Sequence, residues 1–349
     1  MNMFSLGAGD ILIASVGIPY SPQSLTSPLT KRTILRVAMT LFYSDPIFQE
    51  HETGDHPENA GRIMPVLRYM HFVSLDALCK RPAWDGATPE QLQLVHTPEH
   101  IAGVEQMAAS GGGQLDPDTV VSARSYDVAV KATGAVVNAV ERVVRGEDSS
   151  AFCLSRPPGH HALADKAMGF CLFNNVAVAA RVATEVLGLE RVLIVDFDVH
   201  HGNGTQAIFW EDPKVGFFSM HRSPFYPHTG MKDETGAGAG AGTTCNLPIQ
   251  FGTNRKEQLE QFAAALRNFA EKISPQLVLV SAGFDSHRLD PVGSLGLESE
   301  DFATMTDEII RIAQRHADGR IVSVLEGGYN PLVLAECVGQ HLEELVQHD

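Results

Sequence analysis

The stretch VLIVDFDVHHGNG at residues 192–204 decides the fold class of this 349-residue chain. Its first four residues are apolar, as expected for a strand of a parallel sheet that is covered on both faces. Two carboxylates and two imidazoles follow directly, from Asp196, Asp198, His200 and His201. Burying such groups costs free energy unless they are paired or bind a metal. The stretch therefore predicts a buried strand whose carboxyl end holds a cation.

Strands and helices alternate along the chain on both sides of this stretch. Besides 191–197, strands are predicted near Met39 and at 151–154, 214–220, 245–249, 277–282 and 321–325. Helices are predicted where apolar residues recur at helical spacing, at 57–70, 126–146, 174–188, 258–273, 300–316 and 331–347. This alternation predicts one α/β domain over 39–349, with a mainly parallel sheet and helices on both faces.

The composition argues against several classes of protein. A formal net charge of −16 repels phosphates, so we expect no direct nucleic-acid partner. No apolar run reaches the ~18 residues that a membrane span needs. The five cysteines are scattered and form no C-x-x-C, which argues against a disulfide framework or a thiolate zinc site. They suit a reducing compartment, so we expect a cytoplasmic protein, and a homo-oligomer remains compatible with the sequence.

Residues 1–38 differ in composition from the rest of the chain. The first 37 are rich in Ser and Pro and contain one acidic residue, Asp10, against three basic ones, Lys31, Arg32 and Arg36. Such a segment is typical of an organelle-targeting peptide, or it is an extension upstream of a second start at Met39. Either way, we expect it to lie outside the folded domain.

Polar or titratable side chains follow four of the predicted strands. These are His160 and His161 after 151–154, Asp198 and His200 after 191–197, Asp285 after 277–282, and Tyr329 after 321–325. Each has an ordinary explanation when taken alone, since most buried polar groups are simply hydrogen-bonded and Asp285 could cap a helix. Open α/β sheets bind ligands at the carboxyl ends of their strands, however, so we expect these side chains to converge.

Asp198, His200 and Asp285 make a set of two carboxylates and one imidazole. Three protein ligands leave an open position, as in catalytic zinc sites. Oxygen-rich ligation also fits Fe²⁺ or Mn²⁺. The sequence therefore predicts one catalytic divalent ion per chain, with Zn²⁺ as the first choice.

The neighbouring groups predict hydrolysis of an amide. A bound zinc ion lowers the pKa of water toward ~7. His161 is the predicted general base and Asn203 the group that orients it. Asp196 is expected to fix the tautomer of His160. Tyr329 is expected to donate a hydrogen bond to the oxygen of the polarised carbonyl.

These residues lie in motifs that resemble the histone deacetylase family, in its class II and bacterial amidohydrolase-like branch. The motifs are RPPGHH (156–161), GFCLFNNVAVAA (169–180), VDFDVHHGNGTQ (195–206), SMHRSPFYPHTG (219–230), SAGFD (281–285) and EGGY (326–329). The resemblance implies the arginase–deacetylase fold, an eight-stranded parallel sheet between helices, with zinc at the strand ends. It also implies removal of acetyl or other short acyl groups from N-ε-acyl-lysine or a related small acylated amine.

The resemblance further assigns residues to the substrate tunnel and to two monovalent-cation sites. The tunnel residues are Phe170 and Tyr226 as aromatic walls, Asp118 for the substrate backbone, and Gly169, Val292, Gly327 and Gly328. The first K⁺ or Na⁺ site comprises Asp196, Asp198, His200, Ser219 and Met220, and the second comprises Phe209, Asp212 and Val215.

Three alternative functions stay open. An acetylpolyamine amidohydrolase is disfavoured because Val292 stands where the polyamine-specific relative carries an acidic gatekeeper, unless Glu50 or Asp55 reaches the tunnel mouth. A catalytically silent binding module is disfavoured because every catalytic position is filled, Tyr329 included. A binuclear manganese ureohydrolase would need a second metal set, for which His201 and Asp196 are the nearby candidates.

Overall fold

The central sheet takes in the strands that the sequence predicts. The strands found in the described residues are β1 (Leu41–Tyr43), β2 (Gly112–Asp116), β3 (Thr119–Ser122), β4 (Ser150–Cys153), β5 (Val192–Asp196), β6 (Val215–Arg222), β7 (Thr244–Ile249), β8 (Leu277–Ala282) and β9 (Ile321–Leu325). The structure, a computed structural model, describes residues 39–348. They fall in one compact unit that spans Val37–Asp349, and the predicted extension at 1–38 lies outside the described residues.

Helices fill most of the connections between strands. Over 39–348 they are α1 (Ile63–Phe72), α2 (Pro89–Leu92), α3 (Pro98–Ala109), α4 (Ser125–Val144), α5 (Asn175–Arg181), α6 (Asn203–Ile208), α7 (Arg255–Ile273), α8 (Ser299–His316) and α9 (Pro331–Gln347). None of them is long and apolar enough to cross a membrane. A π-helical turn, Val182–Val186, extends α5 to within two residues of the end of the helix predicted at 174–188. The helix predicted at 57–70 begins later, with a 3₁₀ turn at Ala60–Arg62.

Seven strands form one sheet in the order β1-β4-β9-β8-β5-β6-β7, and every neighbouring pair is parallel. The predicted α/β fold class is confirmed, with one correction: the described sheet has seven strands, where the resemblance implied eight. The other two strands, β2 and β3, pair antiparallel with each other. They pack against α3 rather than adding to the sheet edge.

The strand order brings the functional segments together. After β5 the chain runs outward through β6 and β7, and then returns so that β8 and β9 fill the space between β5 and β4. The chain therefore adds strands on one side of β5 first and on its other side afterwards, so the strand order switches between β5 and β8. Open α/β sheets bind ligands at such switch points. The four strands that precede the predicted site residues are neighbours in the centre of the sheet.

The central strands are apolar at consecutive positions because both faces of the sheet are covered. In β5, Leu193 and Val195 pack in one hydrophobic cluster, which includes Phe262 and Phe269 of α7. Ile194, on the opposite face, packs in a second cluster with residues of α4 and α5. Alternate residues of a strand point to opposite faces, so a strand buried on both sides must be apolar throughout.

Candidate active site

Three predicted metal ligands converge at the carboxyl ends of β5 and β8. The Nδ1 atom of His200 lies 3.0 Å from Oδ1 of Asp198 and 3.1 Å from Oδ2 of Asp285. One ligand atom from each of the three side chains falls within 4.8 Å of the other two. All three residues are buried. The residue types and their separation match a three-ligand site for Zn²⁺ or a similar divalent ion.

The electrostatics of this cluster favour a bound cation. Burial raises the pKa of Asp285 to about 7, and the charge of Asp198 adds to the effect. The Oδ2 atom of Asp285 is buried without a hydrogen-bond partner, despite its 3.1 Å approach to His200. Two buried carboxylates that share one imidazole are costly without a positive ion. The donor set therefore fits a divalent metal, for which Asp285 offers a free lone pair.

Two glycines leave room for the ligand carboxylates. A Cβ atom on Gly283 would collide with the carboxylate of Asp198, and one on Gly327 would collide with that of Asp285. The backbone N–H of Gly327 donates to Oδ2 of Asp198 over 2.8 Å. Glycine is therefore needed at these positions for the close approach of the backbone to the ligand carboxylates.

The tandem histidines after β4 have different partners. His160 Nδ1 lies 3.0 Å from Oδ2 of Asp196, and His161 Nδ1 lies 2.7 Å from Oδ1 of Asn203. An amide oxygen only accepts, so His161 donates from Nδ1 and its Nε2 is left free to accept a proton. A Cβ atom on Gly169 would collide with the His161 ring, so this glycine closes one side of the imidazole.

The surroundings of the two imidazoles move their pKa values in opposite directions. Burial lowers the pKa of His160, but the carboxylates of Asp196 and Asp198 outweigh it and raise the pKa to about 10. Burial also lowers the pKa of His161, and the neighbouring His160 and His200 take it well below its usual range. The protein surroundings therefore favour a protonated His160 beside a neutral His161, a separation typical of acid–base pairs.

The turn after β9 carries Tyr329 and fixes its backbone. Its backbone N–H donates to Oδ2 of Asp290 over 2.6 Å. Burial raises the pKa of Tyr329 well above its ordinary value, so the phenol keeps its proton and is available as a donor. Its ring lies edge-on to that of Phe170, with 5.6 Å between ring centroids.

A cavity of about 240 Å³ opens onto these groups. Its lining residues are Asp118, His161, Gly169, Phe170, His200, Phe225, Tyr226, Val292 and Tyr329. The structure thus brings together five of the seven predicted tunnel residues, while Gly327 and Gly328 lie in the turn before Tyr329. Glu50 and Asp55 are not among the lining residues; Glu50 accepts a hydrogen bond from Arg124 over 2.9 Å.

The β2–β3 hairpin brings Asp118 to this cavity, although sequence reasoning did not predict the hairpin. Asp118 lies in its turn, where its backbone N–H donates to Oδ1 of Asp116 over 3.1 Å. Burial and the neighbouring Asp116 raise the pKa of Asp118 to about 6. The hairpin also contacts the opposite wall, since Thr119 Oγ1 accepts from the N–H of Phe170 over 3.1 Å.

The residues of the first predicted monovalent site also lie together. Asp196 stands opposite Ser219 in the β5–β6 register, and Met220, Asp198 and His200 follow these two along their strands. In the second set, the carboxylate of Asp212 is taken by Arg181 and by the N–H of Lys214. The side chain of Asp212 is therefore already engaged within the protein.

His201 does not extend the metal set. Its Nδ1 lies 2.7 Å from Thr229 Oγ1 and its Nε2 lies 3.0 Å from Gln206 Oε1, so both nitrogens are engaged. Burial lowers its pKa to about 4. Within 39–348, the other group with metal-like spacing is the partly exposed cluster Asp307, Glu344 and His348, far along the chain in α8 and α9. A binuclear centre is therefore not supported.

Sequence reasoning missed Arg62, which is fully buried beside the turn of Tyr329. Its Nε donates to Gly328 O over 2.7 Å, and its Cζ lies 4.9 Å from the centre of the Tyr329 ring. Glu58 supplies the counter-charge at 3.0 Å and pairs with the buried Arg156 as well. An arginine at the start of an otherwise amphipathic helix was the available signal.

Phe225, beside the predicted wall residue Tyr226, was also missed. Its ring stacks on the imidazole of His200 with 5.2 Å between centroids and 18° between planes. The guanidinium of Arg222 lies 4.3 Å from the centre of the same ring. The motif SPFYP was the available signal, but it did not tell which aromatic residue faces the metal ligand.

Comparisons with known proteins identify relatives of this chain. The sequence model of a family described as the histone deacetylase domain matches residues 56–345. A histone deacetylase-like amidohydrolase of Pseudomonas aeruginosa is 38% identical over 294 residues, which cover 84% of this chain and 76% of that protein. Histone deacetylase 14, chloroplastic, of Arabidopsis thaliana is 34% identical over 326 residues, 88% of this chain and 77% of that one. The crystal structure of the HDA15 HD domain matches with a TM-score of 0.83 and 32% identity, over 89% of this chain and 90% of that one.

Proposed function

The chain belongs to the histone deacetylase family of deacetylases and amidohydrolases, and we propose that it is a zinc-dependent enzyme that removes acetyl or other short acyl groups from N-ε-acyl-lysine or a related linear amide. One observation carries the proposal. A buried Asp–His–Asp set, a neutral imidazole and a protonated phenol meet at the same cavity of about 240 Å³. These are the metal site, the base and the oxyanion donor that amide hydrolysis needs.

Different residues of the chain carry out the proton transfers and stabilise the developing charge. Asp198, His200 and Asp285 would hold a divalent ion, and the ion would supply Lewis acidity toward the substrate carbonyl and the attacking water. His161, kept neutral and oriented through Asn203, accepts the proton of the attacking water and then passes it to the leaving amine. Tyr329 donates a hydrogen bond to the carbonyl oxygen as negative charge develops there.

His160 has a different task from that of His161. It holds a proton on Nδ1 toward Asp196, and its charged ring lies 4.0 Å from that of His161, between centroids. A fixed positive charge at this distance opposes protonation of His161 in the resting site and stabilises negative charge on the substrate in the transition state.

The cavity walls favour an uncharged stem that leads to the amide. Phe170 and Tyr226 provide aromatic surface, and Val292 gives a second ammonium no partner. Asp118 is the carboxylate that lines the cavity away from the metal set. We assign it the role of accepting N–H groups of a peptide backbone. We therefore favour acyl-lysine as the substrate class.

An acetylpolyamine is the second candidate, and one observation favours it. Asp116 and Asp118 lie together in the β2–β3 turn, and two carboxylates could bind a distant ammonium group. The test is turnover of a panel of acyl-lysine peptides, acetylpolyamines and small amides, each with and without a chelator. Turnover that survives complete removal of metal would sink the zinc assignment, and a preference for acetylpolyamines would reverse the substrate class.

We also propose a K⁺ or Na⁺ ion at Asp196, Asp198, His200, Ser219 and Met220, and a second at backbone oxygens of Phe209, Asp212 and Val215. Carboxylate, hydroxyl and carbonyl oxygens suit such hard cations. Dependence of the melting temperature on K⁺ at constant ionic strength tests both. Native Fe²⁺ or Mn²⁺ instead of Zn²⁺ would appear in metal analysis of protein that is purified without added metal.

For location, we propose the cytoplasm, with organelle delivery by residues 1–37 as the alternative. A relative whose name includes "chloroplastic" supports testing the alternative. The measurement is the distribution of fluorescent fusions of the whole chain and of a chain that begins at Met39. A homo-oligomer is to be tested by light scattering.

A further inference from the structure

Glu326 is a fully buried carboxylate that the proposed reaction does not use. The motif EGGY predicted Tyr329 and its glycines but gave this residue no role. Its Oε2 accepts two backbone hydrogen bonds, from Gly159 over 2.6 Å and from His160 over 3.1 Å. The residue stands directly after β9, whereas these two donors lie in the turn after β4.

The backbone of Glu326 is held as firmly as its side chain. Its N–H donates to Ala282 O over 2.9 Å, and its C=O accepts from Nη2 of Arg62 over 2.5 Å. The carboxylate therefore projects from a fixed point between the ends of β8 and β9. Because β4 and β9 are neighbours, that point faces the turn that carries both imidazoles.

The turn is held from its other side too. The C=O of His160 accepts from the N–H of Thr205 over 3.2 Å, and a Cβ atom on Gly159 would lie 2.6 Å from the N of Asn175. The peptide groups on both sides of His160 are thus fixed, one by Glu326 and one by α6. Loss of the Glu326 acceptor would leave two buried N–H groups unpaired and free the turn to shift.

We propose that Glu326 is a positioning residue for the tandem histidines: by accepting from Gly159 and His160, it fixes the place of both imidazoles relative to the metal set. The proposal rests on the proposed amide hydrolysis for its kinetic readout. It assigns the effect to the reach and acceptor capacity of the side chain, and not to its negative charge.

Two substitutions separate reach from charge. Glu326→Gln keeps the length and one acceptor oxygen but removes the charge, whereas Glu326→Asp keeps the charge and is shorter by one methylene. In zinc-loaded protein we expect kcat of E326Q to stay within about fivefold of the unmodified chain. We expect kcat of E326D to fall by about 10- to 100-fold with KM changed less than about twofold, since displacement of a catalytic group by ~1 Å costs up to ~10²-fold.

The matched controls are Glu308→Gln and Glu308→Asp. Glu308 is also a buried glutamate, but it pairs with Arg267 between α7 and α8. These variants report the general effect of altering a buried carboxylate and should leave kcat within about twofold. Melting temperatures of all four variants show whether each one folds.

A second readout does not depend on any substrate. The hydrogen bonds to Oε2, 2.6 Å from Gly159 and 3.1 Å from His160, should place the amide proton signals of both residues downfield in NMR spectra, that of Gly159 most strongly. E326D should move both signals upfield more than E326Q does. Loss of kcat in E326Q equal to that in E326D would overturn the proposal in favour of a charge effect. Unmoved amide signals in E326D would overturn it even if no amide substrate is found, so this failure is distinct from failure of the proposed function.

Discussion

The imidazole rings of His160 and His161 lie 4.0 Å apart between centroids, yet a carboxylate holds the first and an amide holds the second. The carboxylates of Asp196 and Asp198 raise the pKa of His160, whereas burial and the neighbouring imidazoles lower the pKa of His161, which has no carboxylate partner of its own. Replacing the amide nitrogen of Asn203 by an oxygen is therefore a sensitive test of the mechanism.

Asn203→Asp should move the pH dependence of catalysis. A carboxylate within hydrogen-bond distance raises the pKa of His161, by about 1–3 units for a close charge. The general base acts when neutral, so the acidic limb of kcat/KM against pH should shift to higher pH. The control, Asn138→Asp, adds the same charge on α4, near Arg142. An acidic limb that stays in place would exclude His161 as the base.

Asp285→Ala should abolish metal binding and activity while the fold survives. The change removes one of three ligands, and it also removes a carboxylate whose pKa is already raised by burial. Metal content after dialysis and the circular dichroism spectrum give the two results. Asp307→Ala, in the partly exposed acidic cluster of α8 and α9, is the matched control and should change neither. Full activity in metal-free D285A protein would refute the metal assignment.

Tyr329→Phe should lower kcat by ~10²–10³-fold, the usual loss for one oxyanion donor. KM should change little, because the hydrogen bond strengthens only as charge develops on the substrate. Tyr69→Phe, on α1 and outside the cavity, is the control. His161→Ala should be at least as damaging to kcat. A large rise in KM with unchanged kcat would instead assign Tyr329 to substrate recognition.

Val292→Glu should shift the substrate preference toward acetylpolyamines. The new carboxylate would line the cavity and offer a partner to a second ammonium group. The measured quantity is the ratio of kcat/KM for acetylspermidine to that for an acetyl-lysine peptide, and a tenfold change equals ~1.4 kcal/mol. Val186→Glu, at an exposed position after α5, controls for added charge. A tenfold preference of the unmodified chain for the polyamine would contradict the acyl-lysine proposal.

His341→Leu should make the fold less sensitive to acid. His341 is buried in α9 with the rings of Phe152, Phe197 and Phe284 at 5.4–6.0 Å, and burial lowers its pKa to about 3. Because the unfolded chain binds a proton near pH 6.5 and the folded chain does not, this histidine lowers stability progressively from pH 6.5 down to about 3. Each pH unit in that window costs ~1.4 kcal/mol.

Urea unfolding at pH 7 and pH 5 measures this effect. The free energy of unfolding that is lost between pH 7 and pH 5 should be smaller in H341L by about 2 kcal/mol. This value follows because pH 5 lies 1.5 units below the pKa of 6.5 in the unfolded chain, at ~1.4 kcal/mol per unit. His71→Leu, which replaces an exposed histidine, is the control for the loss of a histidine side chain. Equal losses in H341L and the unmodified chain would show that His341 does not titrate differently on folding.

The sequence by itself determined the strands of the central sheet and the chemistry at their ends, but not the β2–β3 hairpin or α3. Strands β8 and β9 begin and end at the predicted residues, and β5 runs into Asp196 as expected. This was possible because a strand buried on both faces must be apolar at consecutive positions, which is a local property of the chain. Carboxylates and imidazoles at the ends of such strands likewise predict a bound cation from the local sequence, because their burial is otherwise too costly.

Only the tertiary structure decided which of these ends meet and what supports them. The order of strands sets β8 and β9 between β5 and β4, and the β2–β3 hairpin brings Asp118 to the cavity. Arg62 and Gly328 are 266 residues apart in the chain, yet they share a hydrogen bond behind Tyr329. Such pairs cannot be predicted from the local sequence pattern, because they form only when distant segments pack together. Each buried donor must then find an acceptor in the segment that covers it.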